Sequence, residues 1–351
     1  LVDVFQQHGL TVFGPTAKAA AIEGSKIFSK ELMQKYGVPT AFFKVCDTLQ
    51  EAKAFVEEKG APIVIKADGL AAGKGVVVAM TKAEAMEALE EMMAGHKFGA
   101  AGNKVVIEEF MEGEEASLFA FTDGKTIVPM LAAQDHKRVN DGDKGPNTGG
   151  MGAYCPAPVM TPELKQKTMD IILRPVVDAM AKEGRPYAGC LYAGLMIKGD
   201  SVKVVEFNAR FGDPETQAVL PLLKSDLPTI MVACAKGTLQ PDMVEWETDK
   251  AAVCVVMASS GYPGSYPKGL PISGLEAAGA MQDVVVFHAG TREENGQILT
   301  NGGRVLGVTA VAEDILAAQR KAYAAVEKIH FEGAHYRKDI AWRALRRINN
   351  K

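Results

Sequence analysis

Val205-Glu206-Phe207-Asn208-Ala209-Arg210-Phe211-Gly212-Asp213-Pro214-Glu215 decides how this chain is read. It alternates apolar residues with a carboxylate, an amide and a guanidinium, and on a strand residues two apart share a face. Glu206, Asn208 and Arg210 therefore point one way, while Val205, Phe207 and Ala209 point into a core. Two hard oxygen donors beside a fixed cation suit a Mg2+-bound polyphosphate and the acyl group it activates. A plainer account pairs Glu206 with Arg210 on a sheet face and gives Asp213 no role beyond a cap; in either account Asp213 reads as the N-cap and Pro214 as the first residue of the next helix. Four polar groups on and just after a buried-looking strand favour the active-site account.

Working outward, Ala188 to Ile197 and Val202 to Phe207 read as a hairpin across Gly199-Asp200. Further upstream, Pro62 to Ala67 and Gly75 to Met80 read as strands flanking Asp68-Gly69-Leu70-Ala71-Ala72-Gly73-Lys74. Such a glycine loop can turn its N–H groups toward phosphate oxygens, with Lys66 supplying charge; it can equally be a glycine hairpin beside a solvated lysine. It is neither a Walker A loop, since Gly75 stands where a Ser or Thr would hold Mg2+, nor a dinucleotide fingerprint, since a strand follows it. Ile107-Glu108-Glu109-Phe110-Met111-Glu112-Gly113-Glu114-Glu115 joins two strands and reads either as an adenine and ribose contact or as an acidic surface turn. Gln134-Asp135-His136-Lys137-Arg138 and Gly145 to Gly152 mix cations with exposed backbone donors, equipment for an anionic substrate or for a solvated loop. His136 fits a loop-ordering or phosphate-contacting role better than that of a general base.

Around these motifs the periodicity predicts helices over Ser25 to Tyr36, from the Thr48 and Thr81 capping boxes, and from Thr161 to about Lys182 with a kink at Pro175. Strands are expected at Leu10 to Phe13, Lys104 to Glu109, Ala116 to Thr122, Thr126 to Ala133, Ala251 to Ala258, Asp283 to Ala289 and Arg304 to Val311, with a last helix from Glu313 to about Ile329. The class is α/β (α+β), and 351 residues allow two or three domains. A net charge of −4 gives no basis for a nucleic-acid or membrane partner. No apolar run approaches the roughly 20 residues that span a bilayer, so a cytoplasmic protein is expected. The five cysteines are widely spaced and lack a Cys-x-x-Cys pair, which reads as reduced structural thiols; the six histidines lack zinc-ligand spacing.

Taken in order, Lys30, the loop from Lys66 to Gly75, the hinge from Glu108 to Glu115, the QDHKR and GPNTGGMG loops and EFNARFGDPE closely resemble the phosphoribosylamine-glycine ligases, ATP-grasp enzymes of purine biosynthesis. The resemblance implies an ATP-grasp fold with a small mobile lid and a β-rich C-terminal domain. It also implies ligation of glycine to 5-phosphoribosylamine through a glycyl phosphate, with ATP as co-substrate and Mg2+, or Mn2+ in its place. By similarity Lys30, Lys66, Gly69, Gly73, Lys74 and Gly75 contact the ATP phosphates, Glu108, Glu109, Phe110 and Met111 hold adenine, and Glu115 holds ribose. Glu206 and Asn208 bind the metal, Arg210 steadies the acyl phosphate, Asp213 orients the glycine ammonium, and Arg304 faces the site from the last domain. The implied organisation is a remnant of the substrate-binding domain over 1–24, an ATP-grasp domain over 25–220 with its lid at 45–112, a helical connection over 221–250 and a C-terminal domain over 251–351. The partners are small molecules, the state a monomer or weak homodimer. The family's N-terminal GxGGREH-like motif has no counterpart here, and the chain begins without Met, so a preceding piece of about seventy residues is expected. The strand before Glu-x-Asn is apolar, so a second Mg2+ depends on nucleotide and water. The alternatives are another ATP-grasp carboxylate-amine ligase, a carboxylase, or a nucleotide-binding module without turnover.

Overall fold

The computed structural model describes residues 1–68, 75–94 and 104–349. Side-chain caps set the first boundaries. Helix α1 (Val2–Gln7) precedes α2 (Ala17–Gly24), where Thr16 accepts from the Ala19 N–H at 3.3 Å, and α3 (Lys26–Lys35), where Ser25 accepts from Phe28 at 3.1 Å. Each cap satisfies an amide that the helical ladder leaves open. Leu10 to Phe13, expected as a strand, is irregular, because it pairs with no described strand and apolar composition alone makes no ladder.

The lid comes next. Strand β1 (Phe43–Cys46), helix α4 (Leu49–Lys59), strands β2 (Ile63–Ala67) and β3 (Val76–Ala79), helix α5 (Lys82–Leu89) and strand β4 (Val105–Glu109) build an antiparallel sheet in the order β1-β4-β2-β3. Phe55, Val56, Ile63, Ile65, Leu89 and Ile107 fill a core that belongs to this unit alone. Thr81 and Glu84 close a reciprocal capping box at α5. At Thr48 only half of the expected box forms, since Glu51 turns to the Asp47 N–H instead.

Strands β5 (Glu114–Thr122) and β6 (Ile127–Pro129) open the central sheet. The polar stretch after them, expected as a loop, is largely paired: β7 (Gln134–Asp135), β8 (Arg138–Asn140), β9 (Lys144–Asn147) and β10 (Gly152–Cys155) run through it. Helices α6 (Pro162–Thr168) and α7 (Arg174–Lys182) are joined by a π-turn at Met169–Leu173. Pro175 explains that turn, because a proline lacks the N–H for the ladder and crowds the carbonyl four residues back. Strands β11 (Gly189–Lys198) and β12 (Ser201–Asn208) complete a sheet in the order β12-β11-β5-β6. Met33, Ile172 and Val176 cover one of its faces, which presents Leu118, Leu195, Val202, Val204 and Phe207.

Burial of both Val204 and Phe207 in one cluster breaks the two-residue alternation. The register supplies the cause: Val204 faces Leu195 and Glu206 faces Gly194, leaving Val205 as an extra residue. This β-bulge turns Glu206 and Asn208 to the face opposite Val204.

The remaining elements are α8 (Thr216–Val219), α9 (Leu227–Lys236), β13 (Ala251–Ala258), α10 (Leu275–Gly279), β14 (Val284–His288), β15 (Thr291–Glu294), β16 (Gln297–Thr300), β17 (Arg304–Ala312), α11 (Ile315–Val326) and α12 (Trp342–Asn349). A second sheet, in the order β14-β17-β13-β10-β7, draws β7 and β10 of the polar stretch in beside the C-terminal strands, while β8 and β9 pair with each other. Helix α11 covers it through Ala318, Ala322 and Val326. Phe119, Phe121 and Tyr192, from the other face of the central sheet, meet Cys155, Ala252, Cys254 and Ile230 in a shared core. All five cysteines are buried and unpaired, as expected. Helix α8 begins at Thr216 with Glu215 as its N-cap residue, so Asp213 is not a cap: the turn that holds it ends before the helix starts.

Candidate active site

Two elements bring cations to a carboxylate on a third. Lys30 of α3 and Lys66 of β2 both reach Glu108 Oε2 of β4, at 2.9 and 3.0 Å. Lys30 also donates to Thr40 Oγ1 at 2.7 Å, and Thr40 donates to the Val204 carbonyl, which ties α3 to the bulged strand. Lys66 donates in turn to the carbonyl of Val205, the bulge residue, at 3.4 Å. Glu108 is buried, and its second oxygen, Oε1, has no hydrogen-bond partner among the described residues. Burial pushes the Lys30 ammonium down to about 8, although the Glu108 charge pulls it back up. Sequence reasoning missed Lys26, one helical turn before Lys30 on the same face of α3. Burial lowers its ammonium too, and the charges of Glu206 and Lys66 act on it.

On β12 the Asn208 amide donates to Glu206 Oε1 at 3.4 Å and its carbonyl oxygen accepts from Arg210 Nη2 at 3.2 Å. Arg210, past the strand end, is held by Glu23 at the C-terminal end of α2: Nε meets Oε1 at 2.9 Å while the Ala209 N–H meets Oε2 at 2.8 Å. Glu23 carried no signal of this in the sequence. Glu206 is exposed and Asn208 buried, so the pair offers a hard oxygen at the surface backed by one held in place.

Asp213 and Arg304 do meet. Arg304 Nη1 lies 3.3 Å from Asp213 Oδ1 and donates to the Asp213 and Gly149 carbonyls at 2.9 and 2.8 Å, while Gln217 donates to the same Asp213 Oδ1 at 3.0 Å. The polar stretch is anchored from behind by the C-terminal segment. His136 is wholly buried and its Nε2 accepts from the Ala341 N–H at 2.9 Å, which leaves the proton on Nδ1. Burial pushes the imidazole down to about 4. His136 is therefore a neutral, loop-ordering residue. Arg337, fully buried, bonds Asp143 and Asp339 at 2.8 Å, and Arg343 reaches Asp143 at 2.7 Å. Burial raises the Asp143 carboxyl, but His136, Arg337 and Arg343 outweigh it and hold the group below the usual carboxylate range.

At the hinge the Glu109 carboxylate accepts from Lys203 at 2.9 Å and from the Phe42 N–H at 3.1 Å, an engagement that lowers its pKa. Phe110 and Met111 are half-buried between β4 and β5, and Glu115 is exposed on β5, on the face that carries Glu206. Gly113 must be glycine, since a Cβ there would sit 2.4 Å from the Ile197 carbonyl oxygen. Gly75 faces Ala67, its carbonyl oxygen accepting from the Ala67 N–H at 2.8 Å. Gly69, Gly73 and Lys74 lie outside the described residues.

Residues 24–216 match the profile of the phosphoribosylglycinamide synthetase ATP-grasp (A) domain, and residues 252–343 that of the same enzyme's C domain. The chain is 52% identical over 348 residues to phosphoribosylamine-glycine ligase of Pseudomonas aeruginosa, covering 99% of this chain and 81% of that one. It is 54% identical over 342 residues to the chloroplastic phosphoribosylamine-glycine ligase of Arabidopsis thaliana, covering 96% and 64% respectively. The crystal structure of phosphoribosylamine-glycine ligase from Thermotoga maritima superposes with a TM-score of 0.85 at 38% identity, covering 94% of this chain and 82% of that one. A biotin carboxylase domain of Hydrogenobacter thermophilus 2-oxoglutarate carboxylase, in complex with MgADP, shares the fold at a TM-score of 0.72 and 18% identity, covering 95% of this chain and 72% of that one. Fold and site thus define an ATP-grasp enzyme of the ATP-dependent ligase class. Within that class, the chain belongs to the phosphoribosylglycinamide synthetase, or phosphoribosylamine-glycine ligase, family.

Proposed function

We propose that this chain joins glycine to 5-phosphoribosylamine at the expense of ATP, giving glycinamide ribonucleotide, ADP and phosphate through a glycyl phosphate intermediate. Family membership along nearly the whole chain supports the reaction. The observation that carries it to these residues is the convergence of Lys30, Lys66 and Glu108 with the bulge that presents Glu206 and Asn208. A carboxylate oxygen is a poor leaving group and phosphate a good one, so the work of the protein is positioning and charge neutralisation.

Glu206 and Asn208 are two hard oxygen donors, and among the described residues no group of three or more His, Cys, Asp or Glu could hold a metal ion. This set fits Mg2+ completed by nucleotide phosphates and water, with Mn2+ able to take the same oxygens. When bound, the ion would neutralise phosphate charge. Lys30 and Lys66 face the ATP phosphates, with Glu108 fixing the spacing of their ammonium groups. Gly69, Gly73, Lys74 and Gly75 serve as further phosphate contacts, and the hinge from Glu108 to Met111 meets adenine with Glu115 on the ribose. Arg210, fixed by Glu23, stabilises charge on the transferred phosphoryl and acyl phosphate groups. Asp213, held by Arg304, faces the glycine ammonium. The five buried, unpaired thiols support a place in a reducing cytoplasm.

The reading is tested by ADP release that requires both glycine and phosphoribosylamine. Release with a different acid and none with glycine would overturn it in favour of another ligase of the same fold. Glu206→Gln is expected to lower turnover by a factor of about a hundred or more without moving the melting temperature; wild-type turnover in that variant removes Glu206 as a metal ligand.

A further inference from the structure

The glycines of the polar stretch have a use that their sequence does not suggest. Read as exposed backbone donors, residues 145–152 would serve an anionic substrate, yet four of their N–H groups are taken. Those of Thr148, Gly149, Gly150 and Met151 donate to the Lys137 carbonyl at 2.7 Å, the Tyr262 hydroxyl at 3.0 Å, Thr148 Oγ1 at 3.0 Å and the His136 carbonyl at 2.8 Å. Three of these acceptors belong to the stretch itself, whereas Tyr262 comes from the turn after β13. What the two glycines supply is close approach. A Cβ on Gly149 would lie 3.0 Å from Arg304 Cζ, and one on Gly150 would lie 2.4 Å from Pro214 Cδ. The Gly149-Gly150 backbone therefore packs directly against both Arg304 and the turn that carries Asp213. Tyr262 is built in as firmly. Ser259 extends the β13–β17 ladder, its N–H donating to the Gly303 carbonyl at 2.7 Å, and the Tyr262 N–H donates to the Ser259 carbonyl at 3.2 Å. The ring packs near Val139, Met151 and Ala258, and lies so close over Gly303 that a Cβ there would come within 2.3 Å of it.

We propose that Tyr262 is a positioning residue for the reaction: by holding Gly149 it fixes the seat of the Arg304 guanidinium, and through Arg304 the direction of the Asp213 carboxylate. Gly149 is gripped at its N–H by Tyr262 and at its carbonyl by Arg304, the residue that follows the glycine under the tyrosine ring. Arg304 in turn donates to the Asp213 carbonyl and pairs with its carboxylate. The assignment rests on the ligase reading above, in which Asp213 faces the glycine ammonium. Arg304 and Gln217 both meet Asp213 at Oδ1, so among the described residues Oδ2 is left for the ammonium. A shift of Arg304 turns that oxygen away from its target. Lys30, Lys66, Glu206 and Asn208 take no part in these contacts, so the nucleotide and the metal do not feel the change.

Tyr262→Phe removes the hydroxyl and keeps the ring over Gly303, so the melting temperature stays at the wild-type value. KM for glycine is expected to rise about fivefold, the effect of one lost hydrogen bond, with KM for ATP unchanged. A wild-type glycine KM overturns the proposal, as does an ATP KM that rises in step with it, since that marks a general loosening. In an Asp213→Asn background, adding Tyr262→Phe is expected to leave the glycine KM within about twofold of the single variant, because Tyr262 acts through Asp213. Effects that multiply make the two residues independent and overturn the proposal. Gly149→Ala provides a second reading away from the tyrosine: its Cβ displaces the Arg304 guanidinium, and glycine KM rises with ATP KM unchanged, whereas a wild-type glycine KM overturns the proposal. Absence of glycine-dependent ADP release in the wild-type chain sinks the ligase reading itself. Normal wild-type release with a Tyr262→Phe variant of identical kinetics sinks the role of Tyr262 alone.

Discussion

Lys30 carries the clearest pH signature of any single residue. Burial brings its ammonium down to about 8, and only the charged form attracts phosphate. Titration of the free enzyme shows in kcat/KM. The value for ATP is therefore expected to fall as pH rises through about 8. A pH profile of Lys30→Gln checks the assignment: the variant has a low kcat/KM with no limb at that pH, and a limb that survives belongs to another group. Glu108 makes the arrangement possible, because two ammonium groups this close, and this buried, repel each other without an anion between them. The sequence marked Lys30, Lys66 and Glu108 as nucleotide contacts, but their convergence on one oxygen needed three elements folded together.

At the scale of elements, the bulge at Val205 and the separate core of the lid matter most. The bulge lets one strand bury Val202 and Val204 and then present Glu206 and Asn208 to the opposite face. Simple alternation put Glu206 and Asn208 on one face and Phe207 in the core because the strand is regular from Glu206 onward, whereas Val205, expected in the core, is the bulge residue and only half-buried. The unit expected as the lid has its own core and caps, and its core shares no residue with the cores of the central sheet. Thr81→Ala removes the capping box of α5 and is expected to cost about 1 kcal/mol. Amide exchange should speed up in α5 and its neighbouring strands and stay unchanged in β5, β11 and β12. A uniform acceleration would show that lid and central sheet open as one body.

For the whole molecule, the C-terminal segment clasps the polar stretch of the site. Arg337 and Asp143 are 194 positions apart in sequence, yet they bond at 2.8 Å with the arginine fully buried. Removing one partner of a buried ion pair leaves the other charge uncompensated. Arg337→Met is expected to destabilise the chain by about 3 kcal/mol, measured by chemical denaturation, because Asp143 and Asp339 lose their guanidinium. A loss under about 1 kcal/mol would mean that Arg343 and His136 suffice to hold the stretch.

Much of the fold was legible because it rests on local rules. Strand alternation, Ser and Thr caps, Gly and Pro stops and the hairpin turns placed most of the described elements of the lid and central sheet within a few residues. The sequence by itself also pointed to the candidate chemistry, since a carboxylate and an amide on alternate positions of a strand, with a guanidinium two residues past the amide, have few other uses. Tertiary structure alone decided what those groups touch. Glu23 holds Arg210 across 187 positions, Arg304 draws in Asp213 across 91, and Tyr192 and Ser117 share Glu215. Tertiary structure also made Asp213 an ion-pair partner instead of a cap and His136 a buried strut. The reason is physical: periodicity encodes which face of an element a side chain takes, whereas an ion pair depends on two elements meeting, and no local pattern records the meeting.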